Sequence, residues 1–325
     1  MKLPRRQFLQ CGIAVIAVGT NSQFAWAQKY PERPVRIITG FPAGGLSDII
    51  ARLLGQRLSE RLGQQFIVEN RPGAGTNIAT NDVIHAAADG YTLLLATAMN
   101  AINATVYDKL NFNFIRDAAP VASIVDAAFV LELNPSIPVK TVPEFIAYAK
   151  ANPGKLGMAS GGIGSPEHVA GELFKMMTGV DMLHVPYRGS APAVIALLAG
   201  EVQAYFGPIA PSIQYLKTGK LRALAVTTAK RSDALPDVPA MNEFLPDYAV
   251  SAWQGLAAPK NTPADVVNAL NKEINLALAD PKLKTRLADL GTAVLPGSPA
   301  DFAKLIAEDT EKWARVVKTA GIKVG

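Results

Sequence analysis

Two adjacent glycines, Gly44 and Gly45, separate a short apolar run from an amphipathic one, and this arrangement constrains the fold more than any other feature. Val35, Ile37 and Ile38 read as a buried strand. Ile49, Ile50, Leu53, Leu54, Leu58 and Leu62 then recur at helical spacing until Gly63 ends the pattern. The linking Gly40-Phe41-Pro42-Ala43-Gly44-Gly45 suits a tight, bare turn, and Ser47 is expected to be the helix N-cap. Strand, glycine turn and helix start together expose backbone N–H groups beside a positive dipole end, which attracts an anion.

The device repeats. Gln65 to Glu69 reads as a strand, Asn70 to Gly75 as a turn, about Thr76 to Ala87 as a helix, and Tyr91 to Thr97 as a strand. This βαβαβ order predicts a parallel sheet whose ligand edge lies at the carboxyl ends of its strands. Val121 to Val125 and Phe129 to Leu133 read as two more strands, and there the pattern restarts. Thr141-Val142-Pro143-Glu144 is a capping box for a helix to Ala151. A strand over Leu156 to Ala159 runs into Ser160-Gly161-Gly162-Ile163-Gly164, and Ser165-Pro166 opens the next helix. Leu183 to Val185, Val202 to Phe206 and Leu221 to Val226 read as strands, with Tyr187-Arg188-Gly189-Ser190 leading into a helix over Ala191 to Ala199. Val250 to Ala258 is extended, a helix runs from Thr262-Pro263 to Ala279, and Ser298 caps a last one bearing Phe302, Leu305, Ile306, Trp313 and Val316. The C-terminal helices lack strands of their own and are expected to cover the first sheet. The prediction is therefore an α/β chain of two lobes, 28–127 plus 251–325 and 128–250, crossed twice near 125–133 and 248–258 to make a hinge. A length of 325 residues suits two such lobes.

Net charge invites a nucleic-acid reading that the N-terminus removes. Residues 1–27 hold Lys2, Arg5 and Arg6 and no acid, leaving 29 basic residues, dispersed, against 27 acidic ones. That segment reads as a signal peptide. Pro4-Arg5-Arg6-Gln7-Phe8-Leu9 is close to a twin-arginine motif, Cys11 to Gly19 is apolar, and Ala25-Trp26-Ala27 suits cleavage near Ala27. Cys11 is the single cysteine, so the mature chain has no thiol for disulfides or metal. A periplasmic location is expected.

Little in the chain points to catalysis. His85, His168 and His184 lack metal-ligand spacing, and there is no G-x-S-x-G elbow or P-loop lysine. His85 and His184 read as structural, whereas His168, three residues past Ser165, is placed to face a cleft. Gly73-Ala74-Gly75-Thr76-Asn77 lacks the third glycine of a dinucleotide fingerprint and reads as a turn opening a helix, with Gly75 or Asn77 within reach of the cleft edge. Asp48 has two readings, compensation of its own helix dipole, or an acceptor for a ligand amine or for the backbone of the opposite lobe. Trp253 and Phe41 fit either core or pocket wall. No metal, cofactor or catalytic group is expected.

Several motifs make the chain resemble the extracytoplasmic solute-binding receptors of tripartite tricarboxylate transporters, the Bug or TctC-like family. They are Phe41-Pro42-Ala43-Gly44-Gly45 with Asp48, Asn70-Arg71-Pro72-Gly73-Ala74-Gly75, His184-Val185-Pro186-Tyr187-Arg188-Gly189-Ser190, Gly219-Lys220-Leu221-Arg222 and Ala258-Pro259-Lys260-Asn261-Thr262-Pro263. The resemblance spans the mature chain and implies a two-lobed type II periplasmic-binding-protein fold with two crossover strands and a cleft between lobes. It implies a small carboxylate held by backbone amides and ordered waters, delivered by a monomer to membrane permease subunits. Carried onto this chain, the ligand-binding residues are Phe41, Ala43, Gly44, Gly45 and Asp48, with Ser160, Gly161, Ser165, His168, Tyr187, Arg188, Gly189, Ser190 and Gly207. Two positions depart from the family's pattern. Gly207-Pro208 stands where an aspartate is usual, which argues against an amino-acid ligand and toward a monocarboxylate or a ligand with an apolar body. Arg188 replaces the usual lysine. Two alternatives stay open: an exported hydrolase using Ser160 or Ser165 with His168, and a ligand-sensing subunit for a membrane kinase.

Overall fold

The computed structural model describes residues 30–323, so the signal peptide read over residues 1–27 lies outside the described residues. In chain order the elements are β1 (Val35–Thr39), α1 (Leu46–Leu62), β2 (Phe66–Asn70), α2 (Asn77–Ile84), β3 (Thr92–Thr97), α3 (Ala98–Val106), α4 (Phe114–Asp117) and β4 (Ala118–Leu133). Then come α5 (Val142–Ala151), β5 (Gly157–Ser160), α6 (Pro166–Thr178), β6 (Leu183–Pro186), α7 (Ser190–Ala199), β7 (Ala204–Pro208), α8 (Ile209–Lys217) and β8 (Arg222–Val226). The chain closes with β9 (Ser251–Pro259), α9 (Ala264–Leu278), α10 (Pro281–Asp289), β10 (Thr292–Val294) and α11 (Pro299–Ala320).

β2, β1 and β3 pair in parallel, and β9 adds to β3 antiparallel. In the second set β5 pairs in parallel with β6 and β7. β4 joins the two sets. It is a single strand of 16 residues, not the two short strands, Val121 to Val125 and Phe129 to Leu133, that the sequence suggests. The reason is in the register. Ala128 pairs with Ser251 of β9, and the next residue, Phe129, already pairs with Pro208 of β7, so no residue is free for a break.

This register also places the carboxyl edges of the two parallel sets. Gln254 of β9 lies opposite both Thr97, the last residue of β3, and Val125 of β4. The carboxyl edge of the first sheet therefore falls near β4 residue 125. The carboxyl end of β7 falls at Phe129, because β4 runs antiparallel to β7. Both parallel sets thus end at the middle of β4, edge toward edge. Thr227 ties this point together, with its N–H donating to Phe129 O at 2.9 Å and its hydroxyl to Val250 O at 2.7 Å.

One apolar core covers a face of both sheets. Leu94, Ala96, Leu131, Phe206, Phe145, Phe174, Trp253, Phe302 and Trp313 are among its buried members. Trp253 meets Phe302 edge-on with centroids 5.3 Å apart, and its indole N–H donates to Asp309 at 2.8 Å, so this residue belongs to the core. α11 packs on α3 and β4, as expected of a helix covering the first sheet, but it also packs on α6. The expected helix from Thr262 to Ala279 is α9, with Pro263 as its N-cap. Between it and the predicted last helix lies a helix that was not expected, α10, whose N-cap Asp280 accepts from Lys282 N and Leu283 N.

The caps of α5, α6 and α11 are Thr141, Ser165 and Ser298, each side chain accepting a first-turn N–H as predicted. α1 departs from expectation. Its N-cap is Gly45, and Ser47 lies inside the first turn, buried. Asp48 explains the early start, since its carboxylate accepts the Gly44 N–H at 2.9 Å from within the helix.

Candidate functional site

The β1–α1 loop presents backbone outward. Pro42, Ala43, Gly44 and Gly45 are exposed and Phe41 is half-buried. Gly44 adopts φ +81, and a Cβ there would meet nothing within 4 Å, so the peptide is open to an approaching group. No described residue accepts a hydrogen bond from the Gly45, Leu46 or Ser47 N–H, while the Gly44 N–H is already committed to Asp48. Three amides at the positive end of a helix of 17 residues are therefore available to an anion.

Asp48 organises this loop. Besides Gly44 it accepts from Asn70 Nδ2 at 2.9 Å and from Arg52 Nε at 3.1 Å, and Asn70 Nδ2 also reaches Phe41 O at 3.0 Å. Burial works against the charge, but the hydrogen bonds from Arg52, Gly44 and Asn70 prevail and hold its carboxyl below the ordinary value. The structure gives Asp48 and Arg52 to each other.

Behind this loop runs a polar edge that the sequence analysis largely missed. Gly40 stands where a Cβ would lie 2.5 Å from the Thr76 Cβ, which packs the first loop on the start of α2. Gly73, Ala74, Gly75 and Thr76 all have positive φ, at +136, +46, +59 and +76. For Ala74 and the β-branched Thr76 this is strained backbone. Asn103 of α3 braces the turn by donating to Gly75 O and to Asn77 Oδ1 at 3.0 Å. Thr39 Oγ1, Thr76 Oγ1, Asn77 Nδ2 and Asn103 Oδ1 are buried without a partner. The signal in the sequence was the recurrence of Thr and Asn at strand ends and helix starts, which looked like ordinary turn chemistry.

The second set contributes two loops held together by their backbones. Tyr187 N–H donates to Ser160 O at 2.9 Å and Gly189 N–H to Gly161 O at 3.1 Å. Gly164 meets Val106 of α3, where a Cβ would come within 3.0 Å, so α3 links the edges of the two sheets. Gly164 N–H donates to His168 Nδ1 at 3.1 Å. Ser160 Oγ lies 2.6 Å from His184 Nε2, and the His168 and His184 rings stack 3.5 Å apart. Burial, the neighbouring ring and Lys175 push the pKa of His168 down to about 3, and burial with Lys175 pushes His184 down to about 4. Both rings are neutral at physiological pH and act as hydrogen-bonding scaffold. His184, read as simply structural, is thus part of the loop that holds Ser160.

The remaining predicted residues divide. Ser190 and Gly189 sit where α7 begins, and Arg188 is exposed at the rim. Gly207 is buried in β7, where a Cβ would come within 2.0 Å of the Tyr205 ring, so Tyr205 fills the space a side chain at this position would take. Tyr205 and Glu167, which the sequence analysis did not single out, meet here, with the phenol donating to Glu167 Oε1 at 3.4 Å.

Away from these loops, a crevice of about 910 Å³ runs beside β4 and β10, bordered by Asp126, Ile209, Lys217, Lys230, Arg231 and Lys284. Its cations are exposed on the surface and its charges mixed, unlike the bare amides of the loops. Among the described residues no cluster of three or more His, Cys, Asp or Glu could hold a metal ion, and no helix is long and apolar enough to cross a membrane.

The family model of the tripartite tricarboxylate transporter family receptor, TctC, matches residues 50–322. Protein BugT of Bordetella pertussis (strain Tohama I) is 35% identical over 316 residues, covering 96% of this chain and 97% of its own. Among solved structures, R. palustris Rpa4515 with adipate is 36% identical at a TM-score of 0.82, over 91% of this chain and 100% of that one. MatC (Rpa3494) from Rhodopseudomonas palustris, with bound malate, is 33% identical at a TM-score of 0.78, over 89% and 100%. With β4 and β9 joining two parallel sets edge toward edge, and with this agreement along nearly the whole chain, the protein belongs to the tripartite tricarboxylate transporter receptor family.

Proposed function

We propose that this chain is a periplasmic receptor that closes two lobes, 28–127 with 251–325 and 128–250, on a small carboxylate and delivers it to the membrane permease subunits of a tripartite transporter. The observation that supports this most is the set of unpartnered Gly45, Leu46 and Ser47 amides at a helix start on the carboxyl edge of the first sheet. The adipate and malate seen in two relatives are small carboxylates, and the same class of ligand suits these amides. A micromolar Kd corresponds to about −8 kcal/mol. Charge-assisted hydrogen bonds of ~1.5–3 kcal/mol each, with burial of the ligand's carbon skeleton, supply that after ordering costs. The protein acts without catalysis in this reading. Ser165 Oγ is the helix cap, Ser160 is fully buried against His184, and His168 Nδ1 accepts the Gly164 N–H rather than a serine hydroxyl.

The test is a thermal-shift and calorimetric screen of the mature chain against mono-, di- and tricarboxylates. A true ligand at about 100 times its Kd adds ~2.7 kcal/mol to stability. Gly45→Phe is expected to keep the fold, because Gly45 has φ −78 and its Cβ would lie 3.5 Å from Pro42 O. It is expected to abolish the ligand-induced shift; an undiminished shift removes this loop from the site.

A further inference from the structure

We infer that Glu167 selects the ligand: the second lobe favours a small carboxylate that also carries a hydrogen-bond donor, a hydroxyl or an ammonium, over the same skeleton without one. This rests on the reading that the cleft holds a carboxylate, and it departs from the expectation, drawn from Gly207, of a ligand without an amine.

Glu167 lies in the first turn of α6 and is 6% exposed. Its Oε1 accepts from Ser190 Oγ at 2.8 Å and from the Tyr205 hydroxyl at 3.4 Å. Its Oε2 receives no hydrogen bond from any described residue, and it is not among the atoms sealed from solvent. A carboxylate oxygen that solvent reaches, on a side chain otherwise buried, is an open acceptor for a donor on a bound molecule.

Position supplies the second half of the argument. Glu167 underlies the loop that begins at Ser160. A Cβ on Gly161 would lie 3.1 Å from Oε1 and 3.4 Å from Oε2, so the missing side chain is what leaves the carboxylate uncovered. Through Ser190 the same carboxylate reaches the start of α7. The positive ends of α6 and α7 therefore already have a negative charge of the protein's own. The α1 amides are unpartnered, which sends a ligand's carboxylate to the first lobe and leaves Glu167 to accept a proton donor from the rest of the molecule. A second ligand carboxylate placed beside Glu167 would meet like charge.

Matched acids test this on the mature chain by calorimetry: propionate, lactate and alanine on one skeleton, succinate, malate and aspartate on another. The expected result is at least tenfold tighter binding of a hydroxyl- or ammonium-bearing member than of its parent acid in one series. In Glu167→Gln that ratio falls toward one. Gln still accepts from Ser190 and Tyr205, and an unchanged melting temperature without ligand confirms the fold. Gly161→Ala, which covers the carboxylate without altering charge, is expected to lower the ratio as well. Parent acids that bind as tightly as their substituted partners, or a preference that survives Glu167→Gln, overturn the assignment. Failure of every acid to bind the wild-type chain overturns the carboxylate reading itself, and this inference with it.

Discussion

Glu132 shows how far a single residue's environment departs from what its type suggests. It lies in β4 with no exposed surface, its Oε1 accepting from Ser212 Oγ at 2.8 Å and its Oε2 unpaired. Burial raises its pKa to about 8, only partly offset by the Ser212 hydrogen bond. The folded chain therefore binds a proton that the unfolded chain has released, and stability falls as pH rises from the ordinary glutamate value through about 8. Glu132→Gln is expected to stabilise the protein by roughly 1–3 kcal/mol at pH 8.5 and by much less at pH 5. Urea unfolding at the two pH values measures it; equal effects at both would mean that Glu132 is not the titrating group. Asp48 is the contrasting case, a buried acid kept charged by Arg52, Gly44 and Asn70.

Among the elements, the Gly73–Thr76 turn carries the clearest strain. Ala74 is exposed at φ +46, a conformation that costs an L-residue roughly 1–2 kcal/mol. Ala74→Gly relieves this while adding freedom to the unfolded chain, so a net stabilisation of about 0.5 kcal/mol is expected. Gly75→Ala combines φ +59 with a Cβ 2.9 Å from the Tyr107 hydroxyl, and a loss of at least ~1 kcal/mol is expected. Denaturant midpoints of the two variants should move in opposite directions; movement the same way would show that the turn is not held in this conformation in solution. The neighbouring elements explain which helices were legible in the sequence. α5, α6 and α11 announce themselves by Thr141, Ser165 and Ser298 and by their apolar spacing. α3 and α8 went unread because each follows its strand immediately, Thr97 ending β3 and Pro208 ending β7 with no loop between.

For the whole molecule, the prediction concerns motion. β4 is the strand that pairs within both sheets, so relative movement of the two halves bends it near Phe129 and turns the chain just before Ser251, where β9 begins. Small-angle scattering with saturating ligand is expected to show a smaller radius of gyration than without. An identical radius in the presence of proven binding would mean that the site is gripped without closure.

The sequence by itself determined the local units. Alternating apolar runs with glycine turns impose two sets of parallel strands, because strands of this kind must be covered on both faces. The Gly44-Gly45 turn imposes a helix start with bare amides, because such amides have no partner within their own helix. Only the tertiary structure decided which groups meet across elements: that Asp48 serves its own loop, that Tyr205 fills the space at Gly207, that Ser160 rests on His184, and that Glu167 lies uncovered beneath Gly161. Most of these contacts join residues from different elements, up to 24 positions apart in the chain. Strand register and packing bring them together, and neither can be read from the periodicity of any one segment.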